Sequence, residues 1–155
     1  MKKVASIALA IVISVCVFAT GSNESHSNLT IVKDNNARYG LANKFTGELV
    51  ISPTYDYIGK FSTEGLALCN SKGYFGLINT KGALIVSAKY DFIGAFADGY
   101  AKVSINDKFG YINEQGEEVV PIVYDFATDF FGGTAEVTRG NKTILISLNE
   151  NLELL

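Results

Sequence analysis

The chain has 155 residues, 13 basic and 16 acidic side chains, a net charge of −3 and a hydrophobic content of 48%. That length suits one modest domain. No run of Lys or Arg occurs, which argues against nucleic acid or an anionic membrane surface as the main partner, since both need a basic footprint.

The first 21 residues differ from the rest. Lys2 and Lys3 form a short basic start, Val4 to Phe18 is apolar apart from Ser6 and Ser14, and Ala19 and Gly21 are small residues at a cleavage-like spacing. This is the pattern of a secretory signal peptide cut after Ala19 or Gly21. The apolar run is shorter than the roughly 20 residues of a membrane span. A retained anchor and a lipoprotein lipidated at Cys16 are the alternatives. Residues 22–28 read as a flexible leader, rich in Ser and Asn. Export is therefore expected, to the periplasm, the cell surface or the medium. Removing residues 1–21 takes away two lysines and no acid, leaving 11 basic against 16 acidic residues, or −5.

From residue 29 onward, one pattern recurs. Leu29 to Lys33 reads as a lone strand. Then come three copies, about 36–71, 72–105 and 106–139. Each opens on an aromatic-Gly step: Tyr39-Gly40, Phe75-Gly76, Phe109-Gly110. Equivalent residues are 34 to 36 apart, the period of a repeat architecture. The opening strand runs into a turn that starts at Asn43, Asn79 or Asn113 and closes at Gly47, Gly82 or Gly116. Asn bonds backbone amides two residues on, and Gly supplies the positive φ of a bulged hairpin. A second, β-branched strand follows: Glu48 to Ile51, Ala83 to Val86, Glu117 to Val120. Pro53 and Pro121 stand at or just beyond its end.

A Tyr-Asp pair comes next (Tyr55-Asp56, Tyr90-Asp91, Tyr124-Asp125), then Phe61, Phe96 or Phe130, then a Gly-x-Ala strand. In that third strand Ala101, Val103 and Ile105 alternate with Lys102, Ser104 and Asn106, so one face is expected to be buried and the other wet. Leu68 departs from the alternation. Ile144 to Leu148, a turn at 149–151 and Leu152 to Leu155 read as a degenerate cap over 140–155. No helix is expected after the signal peptide.

Chemistry-bearing residues are few. His26, the one histidine, lies in the leader. A Ser–His or Cys–His nucleophile then has no base in the repeats, and a His-containing zinc site lacks ligands. Asp56, Asp91 and Asp125 are expected to cap turns by accepting backbone amides; calcium binding or a glycosidase pair are the competing readings. Cys69 stands where the other copies have Val103 and Val137 and is expected to be buried. Tyr55, Tyr90, Tyr124 and Phe61, Phe96, Phe130 are expected in the core, where large rings bury the most area. Tyr57, Phe92 and Phe126 follow the Tyr-Asp pair, where alternation places them opposite the Asp. With Tyr100 and Phe131 they are the candidates for a ligand-facing surface.

Together these residues resemble the WG (KWG) repeat family of bacterial proteins, most fully in Lys108-Phe109-Gly110-Tyr111-Ile112-Asn113, Gly116, Val119-Val120-Pro121, Tyr124-Asp125, Phe130 and Gly133-Thr134-Ala135-Glu136-Val137. The resemblance spans roughly residues 36–148. The signature Trp is replaced by Tyr39, Phe75 and Phe109, since the chain has no Trp. The resemblance implies an all-β repeat array and, loosely, an interaction role; it brings no catalytic motif. The expected fold is thus all-β: about three stacked repeats, each of two or three short antiparallel strands, in an open array or solenoid over 29–155. A propeller-like closure is the alternative. The expected function is non-enzymatic, without cofactor or metal: binding of another protein or a cell-envelope component, or else of carbohydrate or peptidoglycan through exposed aromatics.

Overall fold

The computed structural model describes residues 28–148. The expected signal peptide, nearly all of the leader and the strand at 152–155 lie outside these residues. The described part is all-β, fourteen strands in four small antiparallel sheets, with no helix. The first sheet is β1 (Leu29–Lys33), β2 (Tyr39–Asn43) and β3 (Leu49–Tyr55). The second is β4 (Tyr57–Ile58), β5 (Leu66–Ser71), β6 (Tyr74–Asn79) and β7 (Leu84–Tyr90). The third is β8 (Phe92–Ala97), β9 (Tyr100–Ile105), β10 (Lys108–Asn113) and β11 (Glu118–Tyr124). The fourth is β12 (Phe126–Ala127), β13 (Thr134–Arg139) and β14 (Lys142–Ser147).

Each sheet is a meander, and the chain changes sheet at the Tyr-Asp pair. The structural unit is therefore shifted against the sequence copy. The Gly-x-Ala strand of one copy pairs with the aromatic-Gly strand of the next, as in Ala67 opposite Ile78 and Cys69 opposite Gly76. The strands β4, β8 and β12, which begin right after the Asp, each add to their sheet an edge strand that the sequence pattern did not announce.

The hairpin turns form as expected. Asn43, Asn79 and Asn113 accept amides through Oδ1, from Phe45 at 2.9 Å, Lys81 at 3.0 Å and Gln115 at 3.1 Å. Gly47, Gly82 and Gly116 close the turns at φ of 74°, 79° and 82°. The strand after the turn runs further than its β-branched stretch, through Pro53 in β3 and Pro121 in β11. Both are edge strands, where a missing N–H removes no ladder bond. On the way, β7 carries two more residues than β6 between paired positions Phe75–Tyr90 and Leu77–Val86. The bulged backbone lies directly on the aromatic-Gly step: a Cβ at Gly110 would stand 2.6 Å from the Val120 carbonyl oxygen and 2.9 Å from the Ile122 nitrogen. Only glycine fits there.

Three cores lie between successive sheets. Leu41 of the first sheet packs with Ile58, Ala67, Cys69 and Ile78 of the second. Leu66, Leu77, Val86 and Tyr90 of the second pack with Ile93, Ala101, Val103 and Ile112 of the third. Tyr111, Val120 and Tyr124 of the third pack with Phe130, Ala135, Val137 and Ile146 of the fourth. Leu68, off the alternation, packs against the second of these cores.

The wet face expected for β9 is a correction. Ser104 is buried, and the Lys102 side chain is only 18% exposed, its Nζ 3.1 Å from both the Ala127 carbonyl oxygen and Asp129 Oδ1. A sheet inside a stack has neighbours on both faces, so its polar face is covered too. The end sheet keeps the simple pattern: on β13, Ala135 and Val137 are buried and Glu136 is exposed.

Two predictions follow from these contacts. A Cβ at Gly116 would meet Val86 Cγ2 of the preceding sheet at 2.6 Å, whereas nothing stands within 4 Å of one at Gly47. Gly47→Ala should cost about 1–2 kcal/mol for positive φ alone. Gly116→Ala should cost about 1–3 kcal/mol more for overpacking, so urea unfolding should separate the pair. The second contrast concerns two fully buried tyrosines. Tyr111 donates its hydroxyl to the Thr128 carbonyl at 2.6 Å, while the Tyr90 hydroxyl has no partner among the described residues. Tyr111→Phe should lose about 1 kcal/mol or more and leave Thr128 short of a donor. Tyr90→Phe should be neutral or stabilising in the same measurement.

Candidate functional site

The residue after each crossover Asp begins a new sheet and turns outward. Its neighbour two positions back goes into the core: Tyr90 and Tyr124 are buried and Tyr55 is half-buried. The Asp sits at the bend between them. The next rings, Tyr57, Phe92 and Phe126, are 47%, 44% and 52% exposed at equivalent places on three consecutive sheets. Each lies opposite a polar residue of the neighbouring strand: Asn70, Ser104 and Thr138. Two of the rings lie back along their own strand over a bare glycine. A Cβ at Gly59 would stand 3.3 Å from the Tyr57 hydroxyl, and one at Gly94 3.4 Å from the Phe92 ring. Tyr57 also meets Tyr39 of the first sheet edge-on, with centroids 6.0 Å apart, and the Lys33 ammonium lies 4.8 Å from the Tyr39 ring centroid.

The other two aromatic candidates part company. Phe131 is 88% exposed, at the tip of the β12–β13 loop. Tyr100 is half-buried, its ring 4.9 Å from Phe130 and its hydroxyl donating to the Leu148 carbonyl at 3.2 Å. That placement corrects the ligand-facing expectation for Tyr100, which belongs to the packing between the third and fourth sheets. Of the Phe61, Phe96, Phe130 series, Phe130 is buried and the others are half-buried, so the core expectation holds most fully in the last copy.

The crossover aspartates do cap turns, though distant ones. Asp56 Oδ2 accepts the Lys72 amide at 2.6 Å, Asp91 Oδ2 the Asn106 amide at 2.7 Å and Asp125 Oδ2 the Gly140 amide at 2.6 Å. These amides belong to the hairpin turn of the following sheet, where Lys72, Asn106 and Gly140 hold positive φ. The Asp amides donate to Asn70, Ser104 and Thr138 carbonyls of that same sheet at 2.7–2.9 Å. In two copies a cation from the preceding sheet closes the other carboxylate oxygen: Arg38 pairs with Asp56 and Lys108 with Asp125. The Lys108 ammonium, and after it the Gly140 amide, hold the Asp125 carboxyl below its usual value. No group of three or more His, Cys, Asp or Glu among the described residues is arranged to hold a metal ion.

Cys69 is fully buried like Val103 and Val137, and burial pushes its thiol up to about 11. Sequence reasoning missed one feature, an open groove of about 460 Å³ between the second sheet and β8. Leu66, Leu68, Leu77 and Ile93 line its floor, and Lys60, Ser62, Thr63 and Glu64 its lip. The irregular 59–65 segment builds it, and no repeating residue marks it in the sequence.

A stack of small antiparallel sheets, one per 34–36 residues and joined through Tyr-Asp crossovers, defines an all-β repeat array. The chain belongs to the WG containing repeat family, whose model matches residues 39–69, 75–109 and 109–142. No curated protein matches it. Among solved structures it is similar to Kluyveromyces lactis Hsv2, at 15% identity and a TM-score of 0.37, over 81% of this chain and 48% of that one. It thus spans about half the length of that chain.

The Asp125 pair has a pH consequence. A folded carboxyl below its unfolded value contributes stability that is present above the unfolded range and lost as pH falls through the folded value. Lys108→Gln should therefore move the Asp125 titration up toward the ordinary carboxylate range and leave thermal stability less sensitive to acid. A carboxyl-carbon NMR titration of both proteins, with melts at matched pH, checks this.

Proposed function

We propose that this chain is a non-enzymatic exported protein that holds another protein or a cell-envelope component along its repeat face. The observation that carries the reading is the exposed ring at the head of three consecutive sheets, Tyr57, Phe92 and Phe126. A large ring kept out of the core at the same step of three consecutive sheets is largely exposed hydrophobic surface. Aromatic anchors of this kind supply much of the energy of protein interfaces. Repeats suit such a role because each unit adds surface without new topology. Nothing in the residue pattern supplies a nucleophile with its base, which favours binding over catalysis. The basic start and apolar run of residues 4–18 support export, with lipidation at Cys16 as the other route to the envelope.

A second reading is a carbohydrate- or peptidoglycan-binding module. It draws on the polar residues opposite the rings, since Asn70 and Thr138 are half-exposed hydrogen-bonding groups beside Tyr57 and Phe126. A ring with an adjacent amide or hydroxyl can both stack on a sugar and bond its hydroxyls.

Envelope pull-downs and glycan arrays, run with the native chain and with single Tyr57→Ser, Phe92→Ser and Phe126→Ser variants, test both readings. Each anchoring ring should be worth more than about 1 kcal/mol, roughly a fivefold loss of affinity. Retention of a protein partner by the native chain, weakened in the variants, supports the first reading. Glycan binding weakened in the same way supports the second. Undiminished binding by all three variants overturns the aromatic face.

A further inference from the structure

Two of the three crossover aspartates are closed by a cation, and the third is not. Arg38 precedes the aromatic-Gly step of the first copy and reaches Asp56 Oδ1; Lys108, at the equivalent position, reaches Asp125 Oδ1. In the middle copy that position is Tyr74, which is 48% exposed. Asp91 keeps the capping bond from Oδ2 to the Asn106 amide. It makes no ion pair among the described residues, whose three salt bridges all lie elsewhere. The nearby cation in sequence, Lys89, has its ammonium 5.0 Å from the Tyr90 ring centroid. The residue after Asn106 in the capped turn is Asp107, a further negative charge where the sister turns have Gly73 and Asn141.

We propose that Asp91 Oδ1, flanked by Phe92 and by Tyr74 in the place of the missing cation, receives a Lys or Arg side chain presented by a partner polypeptide. The sister copies display what a filled site looks like, with the same carboxylate, the same oxygen, and an ammonium or guanidinium arriving from the same direction. The carboxylate is already oriented, because the Asn106 amide holds its other oxygen. One free oxygen suits a single ammonium or guanidinium, whereas calcium takes six to eight oxygen ligands. An exposed ion pair alone contributes little; exposed rings add a comparable amount through cation–π attraction. The site therefore selects which partner docks on the aromatic face more than it sets how tightly. This rests on the protein-binding reading above and specifies one contact within it.

The test is a titration of the isotopically labelled full chain with N-acetyl-lysine methylamide and N-acetyl-arginine methylamide, read by amide NMR. N-acetyl-glutamine methylamide and glucosamine serve as controls. Shifts at Phe92 and Asn106 that grow with probe concentration, and none at Lys72 or Gly140, are expected with the cationic probes. Asp91→Asn, which still accepts the Asn106 amide, should weaken them by about three- to tenfold. Tyr74→Lys, which rebuilds the sister ion pair internally, should do the same while keeping the fold. The proposal is overturned by absent shifts, by equal shifts at Lys72 and Gly140, by glucosamine acting in place of lysine, or by unchanged binding in Tyr74→Lys. Its failure would leave the aromatic face standing if Tyr57→Ser and Phe126→Ser still lose the partner.

Discussion

The chain leaves each sheet at a Tyr-Asp pair, and the stack depends on what that Asp does with both of its hydrogen-bonding ends. Its amide donates to the carbonyl of the second-to-last residue of a strand in the next sheet, and its carboxylate caps that sheet's hairpin turn 15 or 16 residues further on. A single residue thus fixes both the position and the rotation of one sheet against the next. The Tyr before it enters the core between them, so the polar clamp and the apolar packing are set by adjacent residues.

The rest follows from sheets too small to stand alone. Strands of about six residues in three- or four-stranded meanders expose most of their apolar side chains until another sheet covers them. Stacking covers both faces of the middle sheets. This explains why Lys102 and Ser104 are enclosed while their counterparts on β13 stay at the surface. Close approach then imposes glycine at two kinds of place. One is the aromatic-Gly step, crossed by the bulged strand of its own sheet; the other is the hairpin turn, seated on Val50 or Val86 of the sheet before.

Function enters where the repeats stop being equivalent or stop being buried. The rings of Tyr57, Phe92 and Phe126 stay about half exposed at equivalent places, although Tyr57 also meets Tyr39. The cation that closes Asp56 and Asp125 is missing at Asp91. The loop at 59–65 opens a groove, where the next copy has the shorter Asp98-Gly99 turn. Most of the repeat's regularities have a packing reason; the exposed rings and the departures from the repeat are what packing leaves unexplained.

The sequence by itself determined the period, the hairpin turns and the membership of a β-repeat family. Asn bonding amides two residues on and Gly at positive φ are local chemistry that needs no tertiary context. The outward turn of Tyr57, Phe92 and Phe126 was not legible from alternation, which puts the second residue after a buried Tyr on the Tyr's own side; the change of sheet at the Asp turns these rings out. The burial of Cys69 could be read by comparing copies. Tertiary structure alone decided the remainder. The Asp caps a turn far along the chain, beyond the reach of any local pattern. Tyr100 was drawn inward by Phe130 of the neighbouring sheet, and the polar face of β9 was covered by a sheet whose arrival alternation cannot foresee. Periodicity records which face of a strand is apolar; whether the polar face meets water depends on how many sheets the chain has still to stack.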